Sequence, residues 1–466
     1  MKKTIVFLMM VFCSSMMYGQ DITGQWNGVL KVYGSQLRLI FHVSKTDSGY
    51  TSTMDSPDQG ANGIPTSSTT FEGDTLKIAD SKLGIEYAGV LDKNNVITGN
   101  FKQSGRTFPM DLSRDTIAEK KLIRPQEPVK PYPYYSEDVT FDNKSAGIKL
   151  AGTLTLPKKE GVFPVVVLIT GSGPQDRNEE MLGHKPFLVI SDYLTRNGIA
   201  VLRYDDRGTH QSQGDFSKAT SLDFATDVEA AVAYLKTRKE INKKEIGLIG
   251  HSEGGLIAPM VAAKSKDIAF IVLLAGPGIP GDQLLVLQSY LVGKASGMSE
   301  QDLAQSEILN TRIYEIVKKS TNTDQLKTSL TNYFKQELKK DTSVKMPSGV
   351  SEDEFIKSKV DAIATPWFQY FIKYDPAPAL EKVKCPVLAL DGSKDLQVPP
   401  TEDLKGIKEA LAKGGNKNVT TIELPNLNHL FQESTTGSPD EYGTIEQTFS
   451  PTALTEILKW IKMQIK

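Results

Sequence analysis

The stretch "IGHSEGG", residues 249–255, sets Ser252 between Gly250 and Gly254 in a G-x-S-x-G pattern. A serine hydroxyl is a weak nucleophile until a neighbouring base takes its proton, and histidine is the usual base. The chain holds five histidines: His42, His184, His210, His251 and His429. His42 falls in a strand-rich N-terminal region, and His251 is tied beside the serine with its side chain directed elsewhere. His184 and His210 lie in loops after earlier strands. His429, in "ELPNLNHLFQ", follows the last strand, where a base would descend on the sheet edge that presents the serine. A base needs an acid to fix its tautomer and stabilise the imidazolium. "VLALDGSKDLQVPP" offers two. Asp391 is placed to cap the strand in the turn before Gly392, whereas Asp395 lies further into the loop and can reach across. The expected order is Ser252, Asp395, His429, a set suited to nucleophilic acyl transfer.

Specific elements must position these groups. "KKEIGLIG" reads as a buried strand running into Gly250, and "GGLIAPMVAAK" as a helix packed closely on a sheet. A serine at that sharp strand-to-helix junction needs small neighbours, supplied by Gly250 and Gly254, and the helix N-terminus adds positive potential. Pro259, in the second turn, removes one helical N–H without disturbing the junction. Around it, apolar β-branched runs alternate with helical patterns: "VTFDN", "IKLAGTLTLP", "FPVVVLITGSG", "GIAVLRYDD", "FIVLLAG" and "CPVLALDG", with helices at Phe187–Arg196 and Leu222–Lys236. Such runs indicate parallel strands buried on both faces. The expected fold is α/β, a doubly wound, mostly parallel sheet opened by an antiparallel hairpin. Residues 281–382 interrupt the rhythm with four helical patterns, Gln283–Val292, Gln301–Lys319, Asp324–Lys339 and Glu352–Ala364. An insertion there is expected to be a helical cap over the carboxyl ends of the strands; a separate helical domain is the alternative.

The N-terminal part differs. Residues 1–19 combine Lys2 and Lys3 with a short apolar run, the pattern of a secretory signal peptide; acylation of Cys13 is the alternative. Residues 20–115 read as a small all-β sandwich or barrel module, with "QLRLIFHVS" alternating apolar and polar positions. Trp26, Tyr33 and Tyr50 there belong either to its core or to a binding face. Residues 116–135 hold four prolines and read as a semi-rigid linker, before a larger domain at 136–466. Removal of the leader leaves Cys385 alone, in a setting of a small buried hydrophobe. No Cys/His cluster or H-E-x-x-H pattern suggests a metal. A net charge of −2 gives no reason to expect nucleic acid as a partner, and no run is long enough for stable membrane insertion once the leader is cleaved. Localisation is expected to be periplasmic or secreted.

Residues 136–466 resemble the α/β-hydrolase superfamily, in particular bacterial EstD-type carboxylesterases and serine aminopeptidase-like (prolyl oligopeptidase-like) hydrolases. The resemblance rests on "GSGPQDRN", "RYDDRG", "GHSEGG", "DGSKDLQVP" and "NHLFQ". It implies that Ser252, Asp395 and His429 are the catalytic triad, and that the backbone N–H groups of Ser172 and Glu253 form the oxyanion hole. It further implies a serine hydrolase of small-molecule ester or acyl substrates that needs no cofactor. "RYDDRGTHQS" departs from the superfamily pattern, with His210 where glycine is usual. Asp205, Asp206 and Arg207 are read as loop-bracing ion pairs, and His210 and Arg177 as residues within reach of substrate. A peptidase and an acyltransferase would share every motif, and a binding protein on an inactive scaffold is the remaining alternative. A module of residues 20–115 is too small for the propeller of large oligopeptidases, which favours the esterase. Oligomeric state is left open.

Overall fold

A computed structural model describes residues 21–32, 35–59, 61–80, 83–103, 106–117, 123–340 and 350–465. The expected leader and Tyr33 lie outside the described residues. These residues fall into two compact units, one of residues 21–32 and 36–117, the other of residues 123–340 and 351–465.

The first unit is a ten-stranded sheet: β1 (Gly24–Val32), β2 (Ser35–Thr46), β3 (Gly49–Ser56), β4 (Ala61–Pro65), β5 (Ser68–Glu72), β6 (Thr75–Asp80), β7 (Ile85–Leu91), β8 (Ile97–Gln103), β9 (Arg106–Pro109) and β10 (Leu112–Ser113). β10 pairs with both β1 and β8, so the sheet closes on itself like a barrel. Leu39, Phe41 and Val43 of β2 are buried and their intervening neighbours are not, the alternation a one-faced strand requires. Trp26 is fully buried in this core. Its indole N–H donates to the Ile22 carbonyl at 2.8 Å, and the Arg114 guanidinium lies 3.8 Å from its ring centroid. Tyr50 packs edge-on against Phe71 at the margin of the same core.

The second unit opens with the antiparallel hairpin β11 (Tyr135–Asn143) and β12 (Ile148–Leu156). β13 (Phe163–Ile169), β14 (Ala200–Tyr204), β15 (Ile241–His251), β16 (Ile268–Leu274), β17 (Val387–Gly392) and β18 (Val419–Leu424) complete an eight-stranded sheet. Its order is β11-β12-β14-β13-β15-β16-β17-β18. β12 meets β14 antiparallel, and every pair beyond it is parallel. The chain builds outward from β13 to β14, then returns to place β15 on the other side of β13. Strand order reverses there, which opens a crevice at the carboxyl ends of the strands. Val165–Ile169 of β13 and all of β14 and β17 are buried at successive positions, so helices cover both faces.

Those helices are α1 (Pro186–Arg196), α2 (Ser221–Thr237), α3 (Glu253–Ala262), and, after the sixth strand of the unit, α4 (Gly281–Ala295), α5 (Glu300–Lys319), α6 (Thr323–Lys340), α7 (Glu352–Ile363), α8 (Pro366–Lys373) and α9 (Ala377–Leu380). α10 (Pro400–Lys413) and α11 (Pro451–Gln464) follow β17 and β18. The insertion α4–α9 carries its own small core, with Ile313, Val317, Leu326, Leu330, Ile356 and Ile372 among its members. Local capping sets its breaks. Ser299 Oγ accepts the Asp302 N–H, Ser351 and Glu354 form a reciprocal capping box, and Thr365 Oγ1 accepts the Phe368 N–H ahead of Pro366. α8 and α9 were not among the four helical patterns. Both are short, eight and four residues, with too few turns for a periodicity to show.

Candidate active site

Ser252 is the last residue before α3, at the end of β15, with φ 52° and ψ −118°. That backbone is strained for a residue with a Cβ, and persists only where the surroundings enforce it. The surroundings here are β15, β16 and the two glycines. The Ser252 N–H donates to the Leu274 carbonyl of β16 at 2.8 Å, and its own carbonyl accepts the Gly255 N–H at 2.8 Å. A Cβ on Gly250 would lie 2.0 Å from the Gly254 carbonyl oxygen, and one on Gly254 2.1 Å from that of Ile169. No side chain fits at either place, and the chain turns over so sharply that Ser252 stands at the crest.

His429 Nδ1 lies 2.7 Å from Asp395 Oδ2, and both residues are buried. The other Asp395 oxygen accepts the N–H groups of Gln397 at 2.7 Å and Val398 at 2.9 Å, so the carboxylate is held on both sides. With Nδ1 facing the carboxylate, Nε2 is the nitrogen free to act as base. Among the described residues no hydrogen bond joins Ser252 Oγ to that nitrogen. Such bonds are commonly long before substrate binds. The histidine's loop is braced by Asn428, whose Oδ1 accepts the N–H groups of Leu430 and Gln432. Asp391 does not face the histidine. Its Oδ1 accepts the N–H of Gly392 at 2.8 Å, and burial, reinforced by nearby Asp395, pushes its carboxyl well above the usual range.

The turn after β13, residues 170–175, lies against the crest. Ser172 is exposed, and among the described residues its N–H has no acceptor. Glu253 begins α3, so its N–H has no partner within the helix. Side chains from further along fix the turn. Asp206 accepts the Thr170 hydroxyl at 2.7 Å and the Gln175 N–H at 3.0 Å, while Glu179 Oε1 accepts the Gly171 N–H at 2.7 Å. The Glu253 carboxyl is also engaged, accepting the Ser221 hydroxyl at 2.5 Å and the Trp367 indole N–H of α8 at 2.9 Å. Burial raises the Glu253 carboxyl above its ordinary value, and raises Asp206 well above it.

The remaining sequence candidates lie elsewhere. Arg177 is bound to Asp205, Asp138, Thr153 and Gln211, and Arg207 to Asp227, so both brace loops. Asp206 corrects its expectation: among the described residues it makes no ion pair and instead accepts hydrogen bonds from the turn, its buried position facing the Thr170 hydroxyl and the Gln175 N–H. His210 is exposed, at φ 47°. His184 is buried against Thr448, Gln432 and the Tyr442 carbonyl, and its pKa is lowered to about 4, chiefly by burial. His251 points to Glu179 and to the backbone of His429. Glu179 and Trp367 went unnoticed in the sequence; "NEE" gives no sign of which glutamate turns inward.

Residues 146–405, more than half of the chain, match the model of the X-Pro dipeptidyl-peptidase (S15 family); the match spans Ser252 and Asp395 and stops short of His429. Esterase EstD of Thermotoga maritima is 29% identical over 305 residues, 64% of this chain and 62% of the relative. A putative carboxymethylenebutenolidase of Synechocystis is 26% identical over 148 residues, 30% of this chain and 59% of the relative. The chain thus spans less than two thirds of the length of either relative. Among solved structures, the α/β hydrolase GrgF from Penicillium covers 71% of this chain and 99% of its own at 17% identity and a TM-score of 0.44, too distant a likeness to add to the fold described above. The length and continuity of the family match, across the sheet and the serine junction, show that the chain belongs to the X-Pro dipeptidyl-peptidase (S15) family.

Proposed function

We propose that the chain is a secreted or periplasmic serine hydrolase that cleaves carboxylic esters through an acyl-enzyme. His429 Nε2 takes the Ser252 hydroxyl proton as Oγ bonds to the ester carbonyl carbon. The oxyanion that forms is stabilised by the N–H groups of Glu253 and Ser172. Collapse expels the alcohol, which leaves with the proton held by His429. A water then loses a proton to His429 as it attacks the acyl carbon, and the acid departs with Ser252 restored. Asp395 holds the imidazole in the required tautomer throughout. The helices α4–α9 act as a cap over the crevice, with Trp367 reaching the first residue of α3. The observation that carries the reading is the left-handed backbone of Ser252, enforced by two glycines that tolerate no Cβ.

A dipeptidyl-peptidase that removes X-Pro from peptides is the second reading, favoured by the family's name. That activity needs a carboxylate free to bind the substrate's α-ammonium group. Around Ser252 the carboxyls of Glu179, Asp206 and Glu253 are buried and already bonded to the protein's own donors. Burial also drives Asp206 and Glu253 toward the uncharged acid. An ester, which carries no such cation, suits this surrounding better.

The test sets p-nitrophenyl esters of graded acyl length beside Xaa-Pro-p-nitroanilides, with Ser252→Ala as control. Ester turnover is expected to dominate and to fall by about 10⁵–10⁶ in kcat in the variant while its thermal melt is kept. Anilide turnover without ester turnover would transfer the assignment to the peptidase, and full activity in Ser252→Ala would sink the mechanism.

A further inference from the structure

We propose that Glu179 and His251 form a positioning pair that holds the oxyanion turn and the base in register with Ser252. The proposal rests on Ser252 being the nucleophile. Glu179 Oε1 accepts two hydrogen bonds, from the Gly171 N–H at 2.7 Å and from His251 Nδ1 at 3.0 Å. The other ring nitrogen of His251 lies 2.9 Å from the carbonyl oxygen of His429. One carboxylate and one ring therefore join three segments far apart in sequence: the turn at 170–173, the end of β15, and the loop of His429.

The chemistry of the ring follows from its partners. Both nitrogens face acceptors, an arrangement that favours the doubly protonated ring. Burial opposes that charge, but the Glu179 carboxylate and the His429 carbonyl outweigh it, and the net shift is upward. A buried ion pair is a poor source of stability, because desolvation offsets most of its attraction. Its use here is geometric. The rings of His251 and His429 lie 4.9 Å apart between centroids, and a Cβ on Gly171 would be 3.3 Å from both Glu179 Oε1 and Ser252 Cβ. Turn, pair and nucleophile are thus in direct contact. The loop of Glu179 is itself built for the purpose. Asp176 accepts the N–H groups of Asn178 and Glu180 on its side chain and that of Glu179 on its carbonyl, which holds Glu179 at φ 52°.

Two links of this network act on groups that matter only in the transition state. The Gly171 bond orients the turn whose next N–H, that of Ser172, meets the oxyanion, and the His251 bond fixes the backbone of the base. Loss of the pair is therefore expected to lower kcat and spare KM.

The experiment compares Glu179→Ala, Glu179→Gln and His251→Gln with the full-length enzyme on one p-nitrophenyl ester, and adds a trifluoromethyl ketone, which binds serine as an oxyanion adduct. Glu179→Ala is expected to lose about 10²-fold in kcat, the scale of one misplaced oxyanion donor, with KM within about threefold. Its inhibition constant for the ketone should weaken by at least about tenfold. Glu179→Gln keeps an acceptor for Gly171 and should recover about tenfold of that kcat. His251→Gln keeps a donor for the His429 carbonyl but not for Glu179, and should fall between the two. Should the alanine variant fail to fold, the two glutamine variants carry the same test. Unchanged kcat in all folded variants, an equal rise in KM, or an unmoved ketone constant would overturn the pair. Ser252→Ala separates this failure from a failure of the mechanism: if that variant is inactive while the Glu179 variants are normal, only the pair is wrong.

Discussion

Asp391, near the end of β17, and Asp395, four positions further on in the loop, do different work. Asp395 accepts two backbone N–H groups and faces His429 Nδ1, while Asp391 accepts the N–H of Gly392 and is pushed toward its neutral form by burial. Asparagine at 395 presents an amide N–H to Nδ1 and selects the wrong tautomer. Asp395→Asn is therefore expected to lower kcat for p-nitrophenyl acetate by about 10⁴ without unfolding. Burial favours the neutral acid at 391, and asparagine is uncharged, so Asp391→Asn should stay within about tenfold of wild type. Similar losses in the two variants would contradict the division. The direction of Asp395 was legible in the sequence because loop length alone separates a residue that closes a strand from one that reaches across a crevice. Glu179 was not legible. Its reach depends on a left-handed backbone and a turn held by Asp176, and neither leaves a mark that separates it from Glu180.

At the scale of elements, the segment from β16 into α4 leads into the inserted helices, and α10 holds it. Asp403 of α10 accepts the N–H groups of Gly278 at 2.6 Å and Ile279 at 3.3 Å, and a Cβ on Gly278 would lie 2.0 Å from the Asp403 carbonyl oxygen. Burial, with some repulsion from Asp395 and Glu402, outweighs those two bonds and raises the Asp403 pKa to about 7. An acid raised in the folded state binds more protons there than in the unfolded chain between its two pKa values. Its stabilising share is complete below about pH 4, the unfolded value, and is lost as pH climbs through 7. Asp403→Asn keeps an acceptor for Gly278 and cannot ionise, so it escapes that loss. Its stability relative to wild type should rise from pH 5 to pH 8, on the order of a few kcal/mol in denaturant melts; a constant difference would refute the assignment. Strands of the second unit were readable as β-branched runs ending in glycine or charge, and the four longer inserted helices from their periodicity. α8 was hidden because the eight residues of "PWFQYFIK" make only about two turns, and it forms through the Thr365 cap and the burial of Phe371 and Ile372.

For the molecule as a whole, the two units have separate cores: one centred on Trp26, Phe41 and Tyr87, the other on the strands and helices of the large sheet. The shift from all-β to alternating strands and helices marked that division in the sequence. What composition did not disclose is the allegiance of the proline-rich segment, because the carbonyl oxygens it binds have no sequence signature. Its described part, from residue 123, belongs to the second unit. The Arg124 guanidinium donates to the carbonyls of Leu182, Gly183, Gly443 and Ile445. Gln126 donates to the Phe449 carbonyl and accepts the N–H groups of Thr448 and Phe449. These bonds tie down the stretch that follows His429, so the segment acts as a clamp on the site as well as a connection. A chain of residues 123–466 is therefore expected to fold and to hydrolyse p-nitrophenyl esters with a kcat within about threefold of the full chain, since the core and the clamp are both intact. A chain of residues 136–466 loses the clamp. At about 1 kcal/mol for each of these part-buried hydrogen bonds it should be a few kcal/mol less stable, with lower turnover as the loop of His429 loosens. Equal melting and equal activity in the two chains would show that residues 123–135 are a spacer only.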